Sequence, residues 1–198
     1  MLGYNPYFLS RRRESNVRRA FPSYDDCAYA WVRQLAKNGV AGRMDGGSYR
    51  MFFEGPTIYS YGYHFPIAKI IYAGKENAAY VLVNRDRHSV TTSNHQSAVS
   101  AAINTYFGER HTTFHVGTYV IRNHSDDDRS PVYMQYKIDF LDAMKSADRQ
   151  RIRSNTRELL KQSCLHAASE ANRFASLFGD TMPFPDNATD AFRDSVEG

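Results

Sequence analysis

Two blocks of this chain hold side chains able to do chemistry. The first is Tyr59-Ser60-Tyr61-Gly62-Tyr63-His64-Phe65-Pro66-Ile67-Ala68, the second Thr91-Thr92-Ser93-Asn94-His95-Gln96. Histidine is the side chain suited to proton transfer near neutral pH, and His64, His95 and Tyr61 would form an acid–base set for phosphodiester chemistry if the two blocks meet. Spacing alone yields no triple of nucleophile, base and orienting group. The plainer alternative is a sheet edge at which Tyr and His side chains satisfy one another. The second block is expected to end a strand and open a helix. Outward backbone N–H groups there, with the hydroxyls of Thr91, Thr92 and Ser93, can hold a phosphate. The alternative is that Ser93 caps its own helix and leaves His95 exposed in the first turn.

Other polar clusters are poorer. His111 and His115 lie in His-Thr-Thr-Phe-His-Val, which looks like a strand, where four residues span about 13 Å, too far to share a metal. His124 with Asp126, Asp127 and Asp128 lacks the glycine and distal glutamate of a calcium loop. His88-Ser89-Val90 with His111-Thr112-Thr113 matches a paired His-x-Thr signature only in part, because Val90 stands where a hydroxyl is needed. Neither a metal nor a cofactor is expected.

The cations carry more. Arg11, Arg12, Arg13, Arg18 and Arg19 face one acid, Glu14, over residues 1–22, and the stretch reads as a basic arm. Lys145, Arg149, Arg153, Arg157 and Lys161 recur every four residues and would wind along a straight helix as a ridge about 24 Å long. Such a ridge can track a phosphate backbone without reading sequence. It equally suits the solvated face of a packing helix, partly neutralised by Asp148 and Glu158, and a break at 154–156 would divide it.

The elements positioning these residues are expected to make an α+β fold. An antiparallel sheet of about five or six strands packs with helices, followed by a C-terminal helical hairpin or long kinked helix. Ser23 caps a helix over 24–38 that Gly39 closes, its apolar stripe being Tyr24, Cys27, Ala28, Trp31 and Leu35. Strands are expected at 49–53, 57–60, 64–72, 79–83 and 87–91, joined as a meander by short turns. A helix follows from about 94, with Ser93 and Gln96 as a capping box, then a strand over 112–122. Pro131 opens a helical stretch reaching about 178. The stripe of 133–147 and the seam of 160–178 point about 160° apart, so a kink or break is expected at Ser154-Asn155-Thr156. The organisation is thus an arm (1–22), an α+β core (23–125), a helical segment (126–178) and an acidic tail (179–198).

With 198 residues, 42% of them hydrophobic and 23% charged, the chain is of ordinary globular composition. Its 14 Tyr and 12 Phe against 1 Trp favour half-buried sheets and wet binding surfaces. Two cysteines, both on apolar helix faces, read as buried free thiols of a reducing compartment. No apolar run of about 18 residues exists to span a membrane. The order Met-Leu-Gly-Tyr-Asn-Pro-Tyr-Phe-Leu-Ser-Arg-Arg-Arg reverses that of a signal peptide, and the protein is expected to be cytoplasmic.

The pair Ser-Tyr-Gly-Tyr-His-Phe-Pro-Ile-Ala and Thr-Thr-Ser-Asn-His-Gln, read over about 48–107, resembles a small domain of uncharacterised bacteriophage and mobile-element proteins. The motif residues are Ser60, Tyr61, Gly62, His64, Thr91, Thr92, Ser93 and His95. The resemblance implies origin, with host-cell cytoplasm as the place of action, and brings no catalytic residues with it. The leading expectation is a phage-type accessory protein that binds nucleic acid or a nucleoprotein through arm and ridge. The alternatives are an inhibitor or adaptor of a host protein, a small hydrolase using His64 and His95, and a homo-oligomer or virion component assembled through 131–178.

Overall fold

The computed structural model of the protein describes residues 19–41, 50–73, 78–108, 112–125, 128–147, 154–180 and 184. Arg11, Arg12, Arg13, Arg18, His111, Asp126, Asp127, Arg149 and Arg153 lie outside the described residues, as does nearly all of the acidic tail. The fold is α+β, in two compact units, Met1–Arg122 and Asn123–Gly198.

The first unit is built on a seven-stranded mixed sheet in sequential order: β1 (Arg19–Phe21), β2 (Asn38–Ala41), β3 (Met51–Glu54), β4 (Thr57–Ser60), β5 (Pro66–Ala73), β6 (Ala78–Asn84) and β7 (Thr112–Val116). Strands β3 to β6 form the expected antiparallel meander, and β2, where a helix end was expected, extends it antiparallel to β3. Both outer pairs, β1 with β2 and β6 with β7, are parallel, so the sheet is larger than expected and not purely antiparallel. A parallel neighbour needs a crossover, and each pair has one helix: α1 (Tyr24–Val32) and α2 (Val90–Phe107). Both crossovers step the same way along strands of the same sense. The right-handed rule then puts both helices on one face, where α1 and α2 pack together.

That face holds a core of Cys27, Ala28 and Trp31 from α1, Val99, Ala102 and Ile103 from α2, and Phe53, Ile58, Ile70, Val81 and Val83 from the strands. Alternation sends Phe52, Ile71, Tyr80, Leu82 and Phe114 to the other face, and these are buried as well. A sheet apolar on both sides explains the continuous hydrophobic run of β6.

Local chemistry moved several boundaries. Ser23 caps α1 as expected, accepting from the Asp26 N–H at 3.1 Å. The helix stops at Val32 instead of 38, because Gln34 turns the chain at φ +52 and its side-chain amide donates to the Trp31 carbonyl at 2.7 Å. Leu35 is therefore exposed and off the stripe. Gly39 closes no helix. It lies inside β2, where a Cβ would come within 2.3 Å of the Phe53 ring and 2.7 Å of the Phe21 ring.

The expected strand at 87–91 is absent. Asn84 ends β6, its carboxamide oxygen accepts from the Asp86 N–H at 2.9 Å, and Ser89 caps α2 by accepting from the Thr92 N–H at 3.2 Å. Ser93 is therefore in the first turn of the helix. Gln96 does not reach back to a cap; its amide donates to the carbonyls of Asn84 and Asp86, both at 2.9 Å. The strand expected over 112–122 ends at Val116, and after Gly117 the chain turns into α3 (Thr118–Asn123).

The second unit is a helical hairpin of α4 (Ser130–Ala147) and α5 (Ser154–Ser176), with α5 starting where the weak helix formers stand. Tyr133 packs edge-on against Phe174 at 5.2 Å, and the Cys164 thiol points at the Phe140 carbonyl at 3.6 Å. As one strand of contacts ascends α4 it descends α5, so the helices are antiparallel. Cys164, Ala167, Ala171 and Phe174 of the expected seam are buried, and Cys27 and Cys164 are both free thiols. Among the described residues no helix is long and apolar enough to cross a membrane.

Candidate functional site

β2, β4, β6 and β7 run in one sense, so the carboxyl ends of β4 and β6 share an edge with the starts of α1, α2 and α3. There the two sequence blocks meet, through Ser60 and His95. Ser60 closes β4 with its side chain on the helix side, in phase with Ile58. His95 sits in the second turn of α2, on its buried side with Thr92 and Val99. Ser60 Oγ and His95 Nδ1 are 2.8 Å apart, with exposures of 1% and 0%. The Tyr24 ring meets the imidazole edge-on at 4.3 Å and the Tyr61 ring lies 5.6 Å away.

Burial, and then the positive charge of Arg50, push the His95 pKa down to about 4. The imidazole is therefore neutral at pH 7. Its Nε2 is buried with no hydrogen-bond partner.

His64 does not take part. It is exposed in the turn after β4, its ring against Gly62, and no hydrogen bond or ring contact joins it to His95. Tyr61 stands in that turn at φ +54 and Gly62 at φ +126. A hydroxyl beside an imidazole is the start of a nucleophile–base pair. Here, among the described residues, no carboxylate bonds either ring nitrogen, and neither partner meets solvent. The pair fastens β4 to α2. Thr92 is buried and hydrogen-bonded to Ser89, while Thr91 and Ser93 are half-buried in the first turn. The helix start expected to hold a phosphate is therefore four residues earlier, at Ser89.

The described cations divide between the units. Arg19 is exposed at the start of β1, its guanidinium 5.5 Å from the Phe21 ring. Lys145 is near the end of α4, Arg157 and Lys161 near the start of α5. Antiparallel pairing brings these ends of the hairpin together but removes the single straight ridge. Arg157 is half-buried, and its Nε has no hydrogen-bond partner.

A cluster that periodicity did not single out lies at the opposite, amino-terminal edge of the sheet. Arg33, just past the end of α1, donates from its guanidinium to the Tyr29 hydroxyl at 2.7 Å. The same guanidinium lies over the Tyr29 ring at 5.2 Å and the Tyr106 ring, near the end of α2, at 5.8 Å. Tyr29 and Tyr106 are 41% and 45% exposed. Lys37, exposed, precedes β2, and Arg19 opens β1 at the same edge, in register with Gly39. Tyr29 and Arg33 are four apart on a helix, which is a readable signal; the approach of Tyr106 depends on how α1 and α2 pack.

Among the described residues, no three His, Cys, Asp or Glu side chains come together as a metal site. His115 is exposed on β7 and His124 is buried after α3. No family model, curated protein or solved structure matches the chain.

Proposed function

We propose that this protein is a phage-type accessory binding protein that contacts single-stranded nucleic acid, free or in a nucleoprotein, through the amino-terminal edge of its sheet. The observation that carries the reading is the Arg33 guanidinium over two half-exposed tyrosine rings. Tyrosine faces and guanidinium planes stack on any base, and cations beside them neutralise phosphates. Arg19 and Lys37 supply such cations, and the arm carrying Arg11, Arg12, Arg13 and Arg18 precedes Arg19 directly in sequence. The test is fluorescence anisotropy with labelled single- and double-stranded DNA and RNA across a salt series. Salt-sensitive binding that favours single strands supports the reading; absent or salt-independent binding removes it.

A second reading, an inhibitor or adaptor of a host protein or a self-associating component, draws on α4. Met134, Ile138 and Leu141 are exposed at spacings of four and three, on the side of α4 away from its buried residues Tyr136, Phe140 and Ala143. A partner retained on the protein after nuclease treatment of host lysate favours it, and the mass in solution reports self-association.

A further inference from the structure

The buried Nε2 of His95 has no partner in a chain that bonds the other nitrogen of the same ring. Buried polar atoms are nearly always satisfied, and an exception calls for a physical reason. We propose that His95 Nε2 and the Arg50 guanidinium together bind a small phosphate-class oxyanion at the carboxyl-terminal edge of the sheet, admitted by a swing of the Tyr61 side chain.

The donors are of the right kind. The proposal takes the Ser60 hydroxyl as donor to Nδ1 across the 2.8 Å contact, the tautomer in which the neutral imidazole carries its proton on Nε2 and offers it to an acceptor. Arg50 stands exposed just before β3, next to Tyr61, whose ring lies 5.6 Å from the imidazole. Its carbonyl accepts from the Tyr61 N–H at 2.8 Å, which ties the cation to the residue beside the ring.

The surroundings favour an anion. Among the described residues, His95 meets Tyr24 from α1 and Ser60 and Tyr61 at the end of β4, with Arg50 before β3 next to Tyr61, and none of these is a carboxylate. Tyr61 is 42% exposed and held at φ +54, so its ring stands at the boundary between imidazole and solvent. An oxyanion here would screen Arg50 from the ring and favour the imidazolium. This edge is opposite the one bearing Arg33, so the proposal stands apart from the single-strand reading.

The experiment follows the ring nitrogens of His95 by NMR in the full chain labelled with 15N-histidine. Inorganic phosphate, adenosine 5′-monophosphate and acetate are titrated separately. A saturable shift of Nε2 with phosphate, weakened about ten-fold by Arg50→Gln as expected for loss of a charge-assisted partner, supports the site. Tyr61→Gly, which suits the left-handed backbone, should keep or tighten binding. A shift by both phosphate and the nucleotide assigns a free oxyanion site; a shift by the nucleotide alone assigns a nucleotide phosphate. The proposal is overturned by no saturable shift in either the wild type or Tyr61→Gly, by an equal response to acetate, or by affinity indifferent to Arg50→Gln. A bound water exchanging at Nε2 and undisturbed by phosphate would overturn it too.

Discussion

Ser60 Oγ and His95 Nδ1 lie 2.8 Å apart where no solvent reaches, so among the described residues the polar link of the α2 imidazole runs to the last residue of β4. This makes His95 a hinge of stability against acid. In the unfolded chain it titrates near the ordinary value of about 6.5; in the folded protein it resists protonation down to about 4. Between those values the unfolded chain binds the extra proton, so stability rises with pH and is lost as pH falls through the window. The loss should approach about 3 kcal/mol by pH 4. Denaturation by urea at intervals from pH 7 to 4 should show this loss in the wild type and a flatter profile in His95→Gln. Equal slopes in both would refute the assignment.

Ser60→Ala leaves Nδ1 buried without a partner and should cost about 1–3 kcal/mol. Combining it with His95→Phe should cost less than the sum of the two single changes. Additive losses would show that the pair is not coupled.

Gly39 is needed for room, since a side chain there would strike the rings of Phe53 and Phe21. Gly39→Ala should destabilise by about 1–3 kcal/mol, the range for overpacking. Phe53→Leu in the same chain should return part of that loss. Thermal melts of the single and double variants decide the matter; an unchanged melting temperature in Gly39→Ala would show the rings to be free to move aside.

Cys27 and Cys164 are buried, and burial pushes their pKa values up to about 12 and about 11. Both should resist a thiol reagent at pH 8 in the native protein and react together once denaturant unfolds it. Rapid labelling of either thiol without denaturant would contradict its burial.

At the amino-terminal edge, charge and stacking can be separated. Tyr106→Ala should weaken single-strand binding by about 1–3 kcal/mol and leave the salt dependence alone. Arg33→Gln should lower the slope of log affinity against log salt by about 0.7 if the guanidinium neutralises one phosphate. A slope unchanged by Arg33→Gln would leave Arg33 no phosphate contact.

The parts legible in the sequence were those with a long period. The middle strands, the α1 start at Ser23, and the α4 and α5 stripes all followed from alternation or helical spacing. β1 and β2 were hidden because three and four residues give no period, and Asn38-Gly39 looks like the end of a helix. The α2 start was displaced because Ser89, Thr91, Thr92 and Ser93 all carry capping hydroxyls, and only the tertiary use of Gln96 by the Asn84–Asp86 loop decides among them. The meeting of the two motif blocks was legible; the identity of the partners was not. Ser60 is the last residue in strand alternation and so faces the helix, whereas His64 has already left the strand for the turn.

One border of the sheet is β1, which covers its neighbour over just three residues and is joined to it through the α1 crossover. Without it, the bare backbone of Gly39, Val40 and Ala41 would form an open seam able to accept a strand from another chain. Shortening the protein to begin at Pro22 would leave that seam permanently unpaired, and the shortened chain should gather into aggregates growing from this border while its central meander stays intact.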